Sequence, residues 1–374
     1  MSFNVPYPPD YGGVIDVFYK IKALSECGVS VYLHCFEYDR PPAIELEKYC
    51  AKVFYYTRKE GIRYQFSVQP YILVTRANDQ LLKNLSSNNS PILFEGLHTC
   101  FYLDHPLLAN HMKMVRTHNV EHEYYLNLYK SEKNLFKRIF FRMEAFKLSA
   151  DESIIKKASH LLCISPIDYH YFNQKYGHSH LIPAFHPFSE IKSKVGRGKY
   201  ILFHGNLSVS ENIKAVEYLL AHVFSKITLP VIGAGKNPAA SLAEKINQYS
   251  HIQLVSNPQN EQMEILIQDA QLCLLPTFQD TGLKLKLLAS LFSGRFCIAN
   301  SPMIHKTGLE HLCHLADTPK EMMDRINELF HQDFTSEEIE KRKLILKDAF
   351  SNRGNALKII QIIDKSSGVS TKSM

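Results

Sequence analysis

The chain lacks most of the features that settle a function class quickly. Its eight cysteines, Cys27, Cys35, Cys50, Cys100 and Cys163 among them, stand singly. No C-x-x-C pair occurs, so neither a zinc site nor a disulfide frame is expected, and the cysteines read as buried reduced thiols. No apolar run approaches the roughly 18 to 20 residues needed to cross a bilayer. No basic-then-apolar leader opens the chain, which makes the cytoplasm the expected location. A strong excess of one charge is missing too: 43 Lys and Arg face 37 Asp and Glu, leaving +6. That balance suits an anionic small ligand or an anionic membrane surface. It falls short of the clustered basic footprint of a nucleic-acid binder, so no nucleic-acid partner is expected.

What is present is an ordinary globular composition, 45% hydrophobic and 21% charged, in 374 residues. A chain of that length exceeds what one hydrophobic core usually serves, so two domains are expected. Short β-rich runs alternate with helical ones, which predicts α/β units with parallel sheets. In the first half the strands are 29–37, 52–57, 90–96, 112–119 and 160–165. Between them lie helices such as "GVIDVFYKIKALSECG", where Val14, Val17, Phe18, Ile21 and Leu24 share one face and Gly28 closes the run. Around 186–199, "HPFSEIKSKVGRGK" loses periodicity and gains Pro, Gly and charge, which marks a boundary. The alternation then restarts with strands 200–207, 228–235, 251–256, 271–277 and 295–300. The expected domains are 1–186 and 187–350, with 351–374 as a C-terminal helix and a disordered tail. Two successive doubly wound domains place ligands at strand C-terminal ends, in a cleft between the domains. Met1–Val5 leave little room for a first strand before the "PYPPDYGG" loop. The expectation is that the true first strand begins further upstream.

Four stretches carry polar chemistry at such strand ends. "NVPYPPDYGG" (4–13) opens a helix on Gly12 and Gly13, where a missing side chain permits a turn or a close backbone approach. In "RTHNVEHEYY" (116–125), His118 and Asn119 end a strand. Asn119 can cap the following helix, and His118 can contact a substrate hydroxyl or phosphate. His118 and His122 are four apart, but with His118 in strand or turn they do not form a helical metal pair. "LFHGNLSVSEN" (202–212) repeats the pattern with His204, Gly205 and Asn206, and "VIGAGK" (231–236) adds Gly233 and Lys236. Finally, "QDTGLKLKLLASLFSG" (279–294) is a loop followed by a helix beginning near Thr281–Gly282, with Leu283, Leu287, Leu288, Leu291 and Phe292 as its buried stripe. Lys284 and Lys286 stand at the helix start, where the macrodipole disfavours cations unless an anion is bound. Being two apart they diverge by about 200°, so Lys284, nearer the start, is the better partner for a diphosphate.

Taken together, the Gly-rich first loop, "R-x-H-N-x-E-x-x-Y", "H-G-N-L" and "T-G-L-K-L-K-L-L-x-x-L-x-x-G-R" resemble the GT-B glycosyltransferases, most closely the retaining enzymes of glycosyltransferase family 4. The likeness runs over nearly the whole chain. It implies an α/β GT-B fold, a nucleotide-sugar donor bound by the second domain, and a glycan, lipid-linked or small acceptor bound by the first. It implies transfer with retention, no metal and no cofactor. There is no D-x-D motif of the metal-holding kind; "EYD" (37–39) is the nearest. Gly12 and Gly13 match the acceptor-side loop, His118 a histidine that contacts the transferred sugar, and Gly282 with its neighbours the helix start beneath the diphosphate. Donor binding would thus fall to Gly205, Asn206, Gly233, Asp280, Thr281, Gly282, Lys284 and Lys286, with His118 and Lys284 in the catalytic roles.

The sequence also departs from that family. Its Glu-x7-Glu acids are replaced by Thr281 and Ala289, and its Arg and Lys after the second domain's first strand by Asn206 and Glu211. Lys284 and Lys286 can return the positive charge from the helix, and Asp280 can stand in for the sugar-binding acid. These losses keep two alternatives open, a GT-B homologue that binds without turnover and a nucleotide-sugar epimerase. Segment 130–157, rich in Lys, Arg and Phe, reads first as an amphipathic helix packed on its own domain. Its second reading is a face resting peripherally on an anionic membrane or covering an acceptor groove.

Overall fold

The computed structural model describes residues 1–278 and 285–366. It divides into two compact units, Met1–Pro187 with Ala349–Met374, and Phe188–Asp348.

In the first unit the strands are β1 (Tyr32–Glu37), β2 (Lys52–Thr57), β3 (Ile92–Glu95), β4 (Lys113–Thr117), β5 (His160–Cys163) and β6 (Ser179–Leu181). β1 pairs with β2, and β3-β4-β5-β6 form a four-stranded sheet, all in parallel. Met1 and Ser2 join the two sheets. The Ser2 amide donates to the His34 carbonyl at 2.7 Å, and the Glu95 amide donates to the Met1 carbonyl at 3.1 Å. Beside this junction the edges of β1 and β3 line a cavity of about 420 Å³ with Leu33, Ile92, Leu93, Ile21, Leu24 and Ile359.

The helix Gly12–Glu26 buries the predicted stripe, Val14, Val17, Phe18, Ile21 and Leu24, but it also buries Asp16 and Lys20. It ends at Gly28, whose φ of +85° lets the chain reverse. There the Gly28 and Val29 amides donate to the Ser25 and Leu24 carbonyls at 2.9 and 3.0 Å. The C-terminal helix Asn352–Ser366 returns to the first unit, where Ala356 and Ile359 pack with Ala23, Leu24, Met114 and Phe185. The expected partition had set that helix apart; its apolar face places it on the helix Gly12–Glu26. The tail expected to be disordered, 367–374, lies outside the described residues.

The second unit holds β7 (Ile201–Asn206), β8 (Val231–Lys236), β9 (Ile252–Ser256), β10 (Leu272–Leu275), β11 (Phe296–Ala299) and β12 (His314–Leu315). They form one six-stranded parallel sheet in the order β12-β11-β10-β7-β8-β9. β10 and β11 are buried along their whole length, which is why they read as unbroken apolar runs. β6 and β12 escaped the sequence reading because strands of three and two residues carry no periodicity.

The helix Leu285–Ser293 packs Leu287, Leu288, Leu291 and Phe292 inward. Its C-terminal carbonyls are held by the buried guanidinium of Arg342, which donates to Leu291 O at 3.0 Å and Gly294 O at 2.6 Å. A cation at that end complements the macrodipole and satisfies otherwise orphaned acceptors. The predicted start of this helix, Thr281–Gly282, lies outside the described residues. No helix among the described residues is long and apolar enough to cross a membrane.

Candidate functional site

In the first unit, the strand ends expected to carry polar chemistry converge on a buried charge network. Arg116, on β4, grips Asp16 with two nitrogens, Nε at 3.1 Å and Nη2 at 2.7 Å. Lys20, one turn along the helix from Asp16, places its ammonium 2.9 Å from Asp16 and 2.8 Å from Glu95 at the end of β3. Glu95 in turn meets His118 Nε2 at 3.1 Å. The Phe185 amide also donates to Asp16 at 2.8 Å. Burial alone would push both carboxyls up. For Asp16, Arg116 and Lys20 outweigh that and hold it well below its usual range. For Glu95, Lys20 and His118 bring it below its ordinary value. Both are therefore carboxylates, and a carboxylate can only accept, so His118 presents Nε2–H to Glu95.

Asp16, Glu95 and His118 bring three candidate ligand atoms within 4.8 Å of one another. The cation position among them is taken by the Lys20 ammonium, and Asp16 is further committed to Arg116. The donor set is thus that of an ion-pair network, in which each charge is compensated and hydrogen-bonded, as burial demands.

His118 sits just past the end of β4 with its side chain 11% exposed. Its ring meets the edge of Phe3 at 5.6 Å between centroids, and Phe3 also faces His98 at 5.4 Å. Gly13 makes this possible: a Cβ there would lie 2.7 Å from the Phe3 ring, whereas one on Gly12 would meet nothing within 4 Å. The Gly-rich helix start and His118, 105 positions apart by their numbering, are thereby brought to one place through Phe3.

One expectation for this stretch needs correcting. Val120, not Asn119, occupies the N-cap of the helix Glu121–Ser131, and no side chain caps it. The carboxyl of Glu121, in the first helical turn, is instead buried and uncharged. Burial and the neighbouring Asp168 push it up to about 8. Its Oε1 makes no hydrogen bond among the described residues and lies 3.8 Å from His98 Nδ1. His122 turns away from His118 to a different acid, Glu152, at 3.0 Å. Glu152 also accepts from Tyr171, Lys175 and Tyr176 at 2.8, 2.7 and 2.7 Å, so His122 belongs to a structural anchor.

In the second unit, β7 ends in Gly205 and Asn206, and the helix Ser210–His222 follows. The Asn212 side-chain amide donates to the Asn206 carbonyl at 2.8 Å, fixing the turn. Lys286 donates to Asn212 Oδ1 at 2.8 Å, and its ammonium lies 5.6 Å from the Phe203 ring centroid. The positive charge carried by the helix Leu285–Ser293 therefore reaches the end of β7. Beneath it His204, buried, meets Ser290 Oγ at 2.7 Å. Burial and Lys286 hold this imidazole down at about 3, so it is neutral. Gly233 lies in mid-strand, with Leu254 Cδ1 4.0 Å from where its Cβ would be. The demanding glycine is Gly235, where a Cβ would fall 1.9 Å from the Gly205 carbonyl oxygen. Asp280, Thr281, Gly282 and Lys284 lie outside the described residues.

The sequence reading missed Asp16, Lys20, Glu95 and Arg116 as a group. The one local signal was a charged i, i+4 pair, Asp16 and Lys20, on a helix with an apolar face.

Comparison with known proteins agrees with this architecture. Residues 198–332 match the family described as glycosyl transferases group 1. A Klebsiella pneumoniae protein, "Uncharacterized 44.6 kDa protein in cps region", is 27% identical over 330 residues, covering 83% of this chain and 84% of that one. Sucrose-phosphate synthase from Thermosynechococcus elongatus superposes with a TM-score of 0.69 at 14% identity, over 99% of this chain and 98% of that chain. Anabaena Alr3699/HepE, solved in complex with UDP and glucose, gives 0.64 at 12%, over 97% and 98%. At such identities the structural likeness speaks for the fold. The chain has the GT-B fold, with two Rossmann-like units, and its second unit carries the pattern of the group 1 glycosyl transferases.

Proposed function

We propose that the protein transfers a sugar from a nucleotide-sugar donor to a glycan, lipid-linked or small acceptor, with retention of configuration and without a metal or other cofactor, as a family 4-like enzyme. The observation that carries this reading is the Lys286 ammonium at the β7 turn, 2.8 Å from Asn212, inside the segment that matches the group 1 family. It stands where the sequence lacks the family's Arg and Lys. Donor binding falls to Gly205, Asn206, Gly233, Asp280, Thr281, Gly282, Lys284 and Lys286, and the acceptor-side loop is Gly12 and Gly13. The UDP seen with Anabaena HepE puts UDP-sugars first among donors, and the relative's cps region fits polysaccharide biosynthesis.

In this mechanism the bond from the anomeric carbon to the diphosphate oxygen breaks as the acceptor oxygen bonds to that carbon. The acceptor proton passes to the departing phosphate on the same face, so no protein base is required. Helix N–H groups and Lys284 stabilise the charge that develops on the diphosphate, the largest electrostatic contribution available. His118, its Nε2–H held by Glu95, offers Nδ1 to a hydroxyl of the transferred sugar.

Incubation with a panel of UDP- and GDP-sugars tests this. Release of nucleoside diphosphate, with the sugar product keeping its anomeric configuration, is the expected result. Interconversion of donors would instead identify an epimerase, and binding without chemistry a degenerate homologue; either outcome overturns the proposal.

A further inference from the structure

The helix Leu135–Asp151 was expected to pack its apolar residues on its own domain, yet it buries only Glu144, Ala145 and Leu148. Phe136, Ile139, Met143 and Phe146 are 83%, 50%, 45% and 77% exposed. At 100° per residue these four fall within about 80° of one another, on the side about 170° from the buried face. The stripe thus faces directly away from the domain. Next to the helix, Lys147 Nζ donates to the Gln65 carbonyl at 2.8 Å, tying on a segment that exposes Ile62, Phe66 and Val68 at 69%, 75% and 92%.

Exposed cations are spread around the helix rather than confined to the ridge. Lys133, Lys137 and Arg142 are exposed, and Arg138 stacks near Tyr129 at 5.1 Å. Arg63 adds a cation on the adjoining segment. Of the two acids within the helix, Glu144 is buried and taken by the Tyr71 amide at 2.6 Å and Lys147 at 2.8 Å, and Asp151 is half-buried at the C-terminal end. Glu132 is turned to the backbone amides of Lys133 and Asn134 at 2.8 and 2.9 Å. A second copy of this face would set cation against cation. An apolar ridge of large side chains with a basic surround matches the interface plane of a bilayer, where the rings enter the acyl boundary and the cations meet lipid phosphates.

We propose that the helix Leu135–Asp151, with segment 62–68, is an in-plane anchor for a bilayer containing anionic lipid. This goes beyond the transferase reading and stands without it. The full chain is tested by flotation with vesicles of phosphatidylcholine alone and of phosphatidylcholine with phosphatidylglycerol. The expected result is binding that depends on phosphatidylglycerol and weakens with salt. Phe136→Ser with Phe146→Ser should lower partitioning roughly tenfold or more. Lys137→Glu with Arg142→Glu should remove the preference for anionic lipid. Both variants change exposed side chains, so their melting curves and their donor hydrolysis without vesicles should match the parent. Equal binding to both vesicle types, unchanged partitioning of the Phe variant, or a dimer in solution that the Phe variant abolishes would overturn the proposal. Failure here with donor hydrolysis intact would leave the transferase reading standing, and the converse would leave the anchor standing.

Discussion

Asp16 and Lys20 look, in the sequence, like a solvated i, i+4 pair, and in the fold their side chains are each 2% exposed. What reverses their meaning is contact with Glu95 and Arg116, 75 positions beyond Lys20 and 100 beyond Asp16. Glu121 shows the opposite imbalance, a carboxyl with too few partners. Its proton is held up to about 8 by burial and Asp168, against an ordinary 4.5. The folded state therefore binds more protons than the unfolded state across that window. Stability from this group is fully present below the unfolded value and is lost as pH rises through the folded one. Urea unfolding at about pH 6 and about pH 8 should show the native chain losing about 1–3 kcal/mol more than Glu121→Gln over that interval. Equal losses in the two proteins would remove Glu121 as the source.

At the scale of elements, legibility follows from how each element is held. β10 and β11 were readable because a buried parallel strand is an unbroken apolar run. The helix Gly12–Glu26 was readable from its stripe and its closing glycine. His118 was legible as a strand-end residue. Its orienting partner Glu95 was not, because pairing between β3 and β4 sets their proximity and no local pattern records it. Gly233 and Gly235 were likewise indistinguishable until register put Gly235 opposite Gly205. That contact makes a sharp contrast testable. Gly235→Ala must displace the Gly205 carbonyl from 1.9 Å and should cost about 2–4 kcal/mol, while Gly233→Ala should cost less than about 1. Chemical denaturation of the two variants decides it, and equal effects would contradict the register.

At the scale of the whole molecule, each unit contributes a different kind of polar centre. The first compensates its charges internally, so that Lys20, Arg116, Asp16 and Glu95 hold one another, with His118 Nε2 on Glu95. The second brings the Lys286 ammonium to the end of β7, an arrangement suited to an anion from outside. Our central claim is that this anion is the diphosphate of a nucleotide sugar. Calorimetric titration of UDP and GDP into the native chain and Lys284→Ala tests it most directly. The account predicts that one nucleotide binds the native chain and binds Lys284→Ala about tenfold more weakly, the loss of one charge-assisted contact. Binding of neither nucleotide, or an affinity unchanged by the substitution, would contradict it.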